Sequence, residues 1–177
     1  AGENACVLHY SSNEALIGED DLVLIDAGCE FEYYAADVTR TYPANGRYSQ
    51  AQRALYDIVL RANRAAIDAC CPGVDFNQPH YIATKILVEG LITLGLLTGS
   101  ADALIASGAH EKFCPHTTSH WLGLDVHDVG DYQLGDCWRD LMPGMVLTVE
   151  PGIYISRDAS TADIPDVYRG IGIRVKD

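Results

Sequence analysis

Apolar positions along the chain recur with two different periods. The runs DLVLIDAG (21–28) and YYAADVTRTYP (33–43) are short and rich in β-branched and aromatic residues. The segment between them suits a hairpin with its turn at Phe31-Glu32. From Ser49 the period lengthens. Leu55, Ile58, Val59, Ala62, Ala66 and Ala69 repeat at helical spacing, Ser49 and Gln52 form a capping box, and Pro72-Gly73 stops the helix. A second helix is expected to open near Pro79, with Ile82, Ile86, Leu87 and Leu94 on one face. SADALIASG reads as a short third helix. PGMVLTVEPGIYI is a strand cut by Pro151-Gly152, and YRGIGIRVKD is a last strand. Strands, then helices, then strands describe an α+β domain. No repeat or linker divides the chain, so one domain over 1–177 is expected.

Composition narrows the partners. The formal net charge of −13 excludes nucleic acid, whose phosphates would be repelled. An acidic solvated surface accounts for most of that charge, and divalent cations neutralise acidic residues that cluster. Six cysteines without a CxxC pair read as free thiols of a reducing, cytoplasmic compartment. No apolar run is long enough to span a membrane, and no signal peptide is visible. The chain opens without Met and stops directly after a strand-like run. A fragment incomplete at both ends is expected, with sheet edges left open to pairing or oligomer formation.

Several polar residues fall where apolar ones are expected. Asp26 and Asp37 lie in the middle of the two hairpin runs, and simple symmetry about the turn sets them opposite each other. Like charges facing across a half-buried sheet repel. Three readings follow: an acid dyad with one proton, a cation between the two, or two edge carboxylates facing water. Glu150 ends the apolar run MVLTVE, where a charge needs a partner. Together with His120 it completes a set of oxygen donors and one imidazole, which suits manganese, zinc or cobalt. His116, His120 and His127 follow an i, i+4, i+11 spacing that would share one helix face. A single-zinc histidine triad is therefore a rival, although Gly123 and Val126 disfavour an unbroken helix and no HExxH is present.

Four motifs in order, LIDAGCEFEYYAADVTRT, HTTSHWLGLDVHDVG, PGMVLTVEPGIYI and YRGIGIRVKD, resemble those of aminopeptidase P, the Xaa-Pro aminopeptidases among the pita-bread metallopeptidases. The resemblance implies a curved antiparallel sheet with pseudo-twofold symmetry, backed by helices, and without the family's separate N-terminal domain. It implies two divalent ions, manganese first, with zinc or cobalt as alternatives. Asp26, Asp37, His120 and Glu150 match metal ligands. His9, His116 and His127 match histidines that meet the substrate or the tetrahedral intermediate, and Tyr154 and Arg174 match residues beside the site. The implied reaction is metal-assisted hydrolysis of the N-terminal bond of a peptide with proline second. Glu150 would take the proton of the attacking water, and His9 and His116 would shape the proline pocket. Prolidase and creatinase share the fold and remain alternatives.

One position departs from the family pattern with chemical consequence. A glutamate ligand is expected in the last strand, and Lys176 stands there. A protonated amine cannot ligate and repels divalent ions. Asp177 is no substitute, because neighbouring strand residues point to opposite faces. The expectation is a centre holding one ion or none. A domain that has lost catalysis and serves as a binding module is the functional alternative.

Overall fold

The structure, a computed structural model, describes residues 1–158 and 164–177. A 3-10 turn, Gly2–Cys6, leads to β1 (Leu22–Ala27), which pairs antiparallel with β4 (Val38–Pro43). Between them a small ladder, β2 (Glu30–Phe31) with β3 (Tyr34–Ala35), closes the hairpin tip. Glu32 and Tyr33 both take positive φ, 50° and 73°, so the turn lies one residue later than the sequence suggests. Positive φ at both central residues matches the twist of a tight hairpin. The shift changes the register: Asp26 faces Thr39, and Asp37 comes opposite Gly28 rather than opposite Asp26. Gly28 is required by close approach, since a Cβ there would lie 1.7 Å from the Ala36 carbonyl oxygen.

Helix α1 (Gln50–Ala69) starts at the expected capping box, with both reciprocal hydrogen bonds formed between Ser49 and Gln52. It buries Leu55, Ile58, Val59, Ala62 and Ala66, as its spacing predicts, while Ala69 is half-buried. Helix α2 (Gln78–Thr93) has Pro79 in its first turn. Its buried stripe is Ala83, Leu87, Val88 and Leu91, whereas Ile82, Ile86 and Leu94 are only half-covered. Gly90 explains this rotation. A Cβ there would stand 2.6 Å from Ile58 of α1, so the helices meet across the glycine and the face around it turns inward. Helix α3 (Ala101–Ala106) is capped by the Ser100 side chain.

Beyond the helices lie the ribbon β5 (Gln133–Leu134) with β6 (Cys137–Trp138), and the pair β7 (Gly152–Ile155) with β8 (Ile171–Arg174). Residues 116–128 form no helix, which removes the one-face histidine triad. The run MVLTVE is extended but among the described residues forms only one bridge, Leu147 with Trp121. Its backbone is bonded on both sides nonetheless. Thr148 and Glu150 donate to the carbonyls of His120 and Thr118, and Val149 exchanges hydrogen bonds with Asp177. Thr39 and Lys176 exchange a further pair. Five neighbouring segments result: β1, β4, the chain end 175–177, the run 147–150 and the stretch 118–121. The α1 and α2 stripes and the inner faces of β7 and β8 form the core behind them.

One buried polar residue ties that core to the segments. Asn63, on the apolar face of α1, donates its amide to the carbonyls of Val149 (3.0 Å) and Val175 (3.4 Å). Asn63→Ala removes both hydrogen bonds, and the Val149 carbonyl then keeps only the Asp177 amide. It should lower unfolding free energy by about 1–3 kcal/mol in urea titration. Gly28→Ala should be destabilising by about 1–3 kcal/mol in the same assay, because the facing strand must move away from the new methyl group.

Candidate active site

Each of the five neighbouring segments places one ionisable side chain at the same point. β1 carries Asp26, the residue before β4 is Asp37, the chain end carries Lys176, the run 147–150 ends in Glu150, and the stretch 118–121 carries His120. Asp37, Glu150 and Lys176 are buried, while 34% of the Asp26 side chain remains exposed. The Lys176 ammonium donates to both Asp37 oxygens, at 2.8 and 2.9 Å. It stands 3.4 Å from Asp26 Oδ1 and 3.4 Å from Glu150 Oε2. Asp177, on the opposite face, pairs with Arg40.

Arg174 lies two residues before Lys176 and therefore on the same face. Its guanidinium donates to Asp26 Oδ2, to Thr39 Oγ1 (3.3 Å) and to Tyr154 Oη (3.0 Å). Burial raises the Asp26 carboxyl, but the Thr39 hydroxyl, Arg174 and Lys176 outweigh it and hold it below the usual range. Burial likewise raises Glu150, and His120, Lys176 and His116 together bring it down.

His120 sits against two carboxylates. Its Nδ1 donates to the Trp121 carbonyl at 2.9 Å, so Nε2 is the lone-pair face of a neutral ring. That Nε2 is 3.2 Å from Asp37 Oδ2 and 3.1 Å from Glu150 Oε1, close enough for an ion pair but poorly aligned for a hydrogen bond. Three lone-pair atoms at such distances repel unless positive charge joins them. Burial lowers His120, and the Glu150 carboxylate and the Trp121 carbonyl more than reverse this, so the net direction is upward.

The other sequence candidates divide. His116 is half-buried, donates Nδ1 to the Thr117 carbonyl and accepts the Tyr154 hydroxyl on Nε2 at 2.8 Å. A chain of hydrogen bonds therefore runs from Asp26 through Arg174 and Tyr154 to His116. Burial lowers His116 and pushes the Tyr154 hydroxyl up to about 12. His127 is exposed and rests edge-on against His120, with ring centroids 4.5 Å apart. His9 is exposed, and among the described residues nothing bonds it to the cluster. Sequence reasoning missed His80. Its Nδ1 accepts the Thr118 amide at 3.2 Å, which orients the backbone just before His120. It also missed Thr148, whose hydroxyl accepts the His120 amide (3.2 Å) and donates to Glu150 Oε1 (3.2 Å). For Thr148 the available signal was a polar residue inside the apolar run MVLTVE.

The donor chemistry suits a divalent ion, but the cluster as folded does not fit one. An ion of that kind binds carboxylate oxygen at roughly 2.0–2.2 Å, on the side of Asp37 where the ammonium already contacts both oxygens. Among the described residues no group of three His, Cys, Asp or Glu side chains is arranged to hold a metal.

All six cysteines are unpaired, and among the described residues no helix is long and apolar enough to cross a membrane. The chain is 53% identical to the Xaa-Pro aminopeptidase of Escherichia coli over 177 residues, which is 100% of this chain and 39% of that protein. Its fold matches the aminopeptidase PepP of Pseudomonas aeruginosa with a TM-score of 0.96 and 52% identity, covering 99% of this chain and 39% of that one. A zinc-substituted E. coli aminopeptidase P in complex with product matches with a TM-score of 0.93 and 53% identity, over 99% of this chain and 39% of that one. The chain thus spans about two fifths of the relatives it matches, with the pita-bread fold they share. Metallopeptidase family M24 matches residues 1–177, and the chain belongs to that family.

Proposed function

We propose that the protein carrying this chain acts on the amino-terminal end of peptides with proline in the second position, and that Lys176 impairs hydrolysis in the chain as it stands. The observation that supports the site is the convergence of Asp26, Asp37, His120 and Glu150 from four separate segments onto one point. Relatives named Xaa-Pro aminopeptidase support the substrate class. Two divalent ions, manganese first, are the cofactors expected of an active relative, and in such a relative they supply the positive charge that polarises the scissile carbonyl. The cluster reaches that arrangement only when position 176 carries no cation.

The residues around the cluster have roles in binding. Arg174 fixes Tyr154, and Tyr154 in turn holds the His116 ring with both nitrogens engaged. To meet a substrate, His116 must give up the Tyr154 hydroxyl. Binding therefore begins with an exchange of hydrogen bonds along this chain. His127, exposed beside His120, and His9, exposed near the chain's start, are the remaining candidates for contact with peptide. The alternative of a peptide-binding domain without catalysis is favoured by Lys176 itself. All three of its donors are engaged by carboxylates, leaving none for a carbonyl oxygen.

The test is cleavage of a tripeptide with proline second, in manganese buffer, by the full chain and by its Lys176→Glu variant. The variant should be faster by roughly 100-fold or more, the scale of one group that governs charge at a reaction centre. Replacing proline with alanine should remove the difference. Equal rates for the two proteins would reject impairment by Lys176. Cleavage of an Xaa-Pro dipeptide alone would favour the prolidase reading. Absence of both cleavage and peptide binding in both proteins would reject the functional assignment.

A further inference from the structure

The nitrogen of Lys176 lies in a complete ammonium site. An ammonium has three N–H donors, and here they meet Asp37 Oδ1 (2.8 Å), Asp37 Oδ2 (2.9 Å) and Asp26 Oδ2 (3.5 Å). Asp26 Oδ1 and Glu150 Oε2, both at 3.4 Å, add a fourth and a fifth oxygen. Only 5% of the side chain is exposed. The backbone at Lys176 is fixed by paired hydrogen bonds to Thr39 on one side, and Asp177 next to it by bonds to Val149 on the other. A flexible lysine folded in for want of space would leave donors unmet, whereas this one has each donor directed at a carboxylate.

Charge within the cluster is nearly closed by the chain itself. Asp26, Asp37 and Glu150 supply three negative charges, and Lys176 and Arg174 supply two positive ones. Two divalent ions added to the same groups would leave a net excess of three positive charges even with His120 neutral. With glutamate at position 176 the same two ions would leave one, which a single anion balances. The repulsion in the first case acts within a buried site, where charges are poorly screened.

We propose that Lys176 is a tethered substitute for the metal: its ammonium takes the place of divalent charge among Asp26, Asp37 and Glu150, so the domain assembles this cluster without a metal ion and binds manganese only weakly. This rests on reading the cluster as the family's cation site. It goes further in making metal unnecessary for the fold. The lysine joins the segments bearing Asp26, Asp37 and Glu150 by direct ion pairs, and it does so at any metal concentration.

The experiment compares the full chain with Lys176→Glu and Lys176→Met. Bound manganese is measured after gel filtration, and Tm is read in EDTA and in excess manganese. The original chain should retain no manganese and show the same Tm in both buffers. Lys176→Glu should retain manganese, with an affinity higher by roughly 100-fold or more, and should melt earlier in EDTA than in manganese. Lys176→Met, similar in shape but uncharged, should melt below the original chain in EDTA and regain part of the loss in manganese. Should Lys176→Glu fail to fold, the methionine variant decides: stabilisation by manganese in that variant alone supports the proposal, and the same response in both proteins rejects it. Manganese retained by the original chain at the variant's stoichiometry, or a Tm lowered by EDTA, overturns the proposal. Manganese bound by none of the three also overturns it, because there is then no cation for the lysine to replace. The peptide assay is read separately, so a failure of the substrate assignment is distinguishable from a failure of this one.

Discussion

Repulsion among buried carboxylates is the constraint on which the rest of this structure depends. The backbone brings Asp26, Asp37 and Glu150 together from segments far apart in sequence, and hydrogen bonds between neighbouring segments fix their separation. No strand can withdraw its carboxylate without breaking bonds to the next. Positive charge must therefore come to them. In this chain it arrives covalently attached, through Lys176 and Arg174 on alternate positions of one extended run. The helices serve the same constraint from behind. Asn63 on α1 binds the carbonyls of Val149 and Val175, the residues just before Glu150 and Lys176, so the helical layer helps to set the spacing of the charges.

The supporting polar residues are arranged in a second layer that follows from burial. Thr39 and Thr41 are fully enclosed, and each spends its hydroxyl on the cluster's framework: Thr39 on Asp26, Thr41 on the Arg174 carbonyl. Thr148 does the same between His120 and Glu150. Each threonine fills strand volume with its methyl group while its hydroxyl adds a hydrogen bond to the cluster's framework. A valine in any of these places would pack as well and remove that hydrogen bond.

Much of this was legible in the sequence. The capping box at Ser49 and the spacing from Leu55 to Ala66 define α1 because local hydrogen bonding and one apolar stripe decide them. Glu150 and Lys176 stand out as charges inside apolar runs. What escaped was set by contacts between distant segments. The hairpin turn falls at Glu32-Tyr33, neither of which is a usual left-handed residue, so the register of Asp26 could not be read from turn chemistry. The buried face of α2 is set by Gly90 against Ile58, a contact that periodicity within one helix does not contain. Asn63 was the most readable of the misses, a polar residue on an otherwise apolar stripe. His80 acts only through the backbone amide of Thr118, and nothing in its neighbourhood in sequence marks it.

A lysine in this position separates two requirements that a metal centre meets together. Holding the carboxylates in place needs only positive charge at the right distance, and an ammonium with three donors supplies it. Cleaving a peptide bond needs more: charge that strengthens its hold on an oxygen as that oxygen becomes negative. An ammonium whose donors are all engaged cannot do this without releasing a buried carboxylate, and release restores the repulsion it was suppressing. The two tasks then compete for the same three N–H bonds. Stability favours the carboxylates at every stage of substrate binding, because they carry full charge while a carbonyl oxygen carries only a part. Under the proposed function, retention of the fold and impaired hydrolysis would both follow from this one side chain.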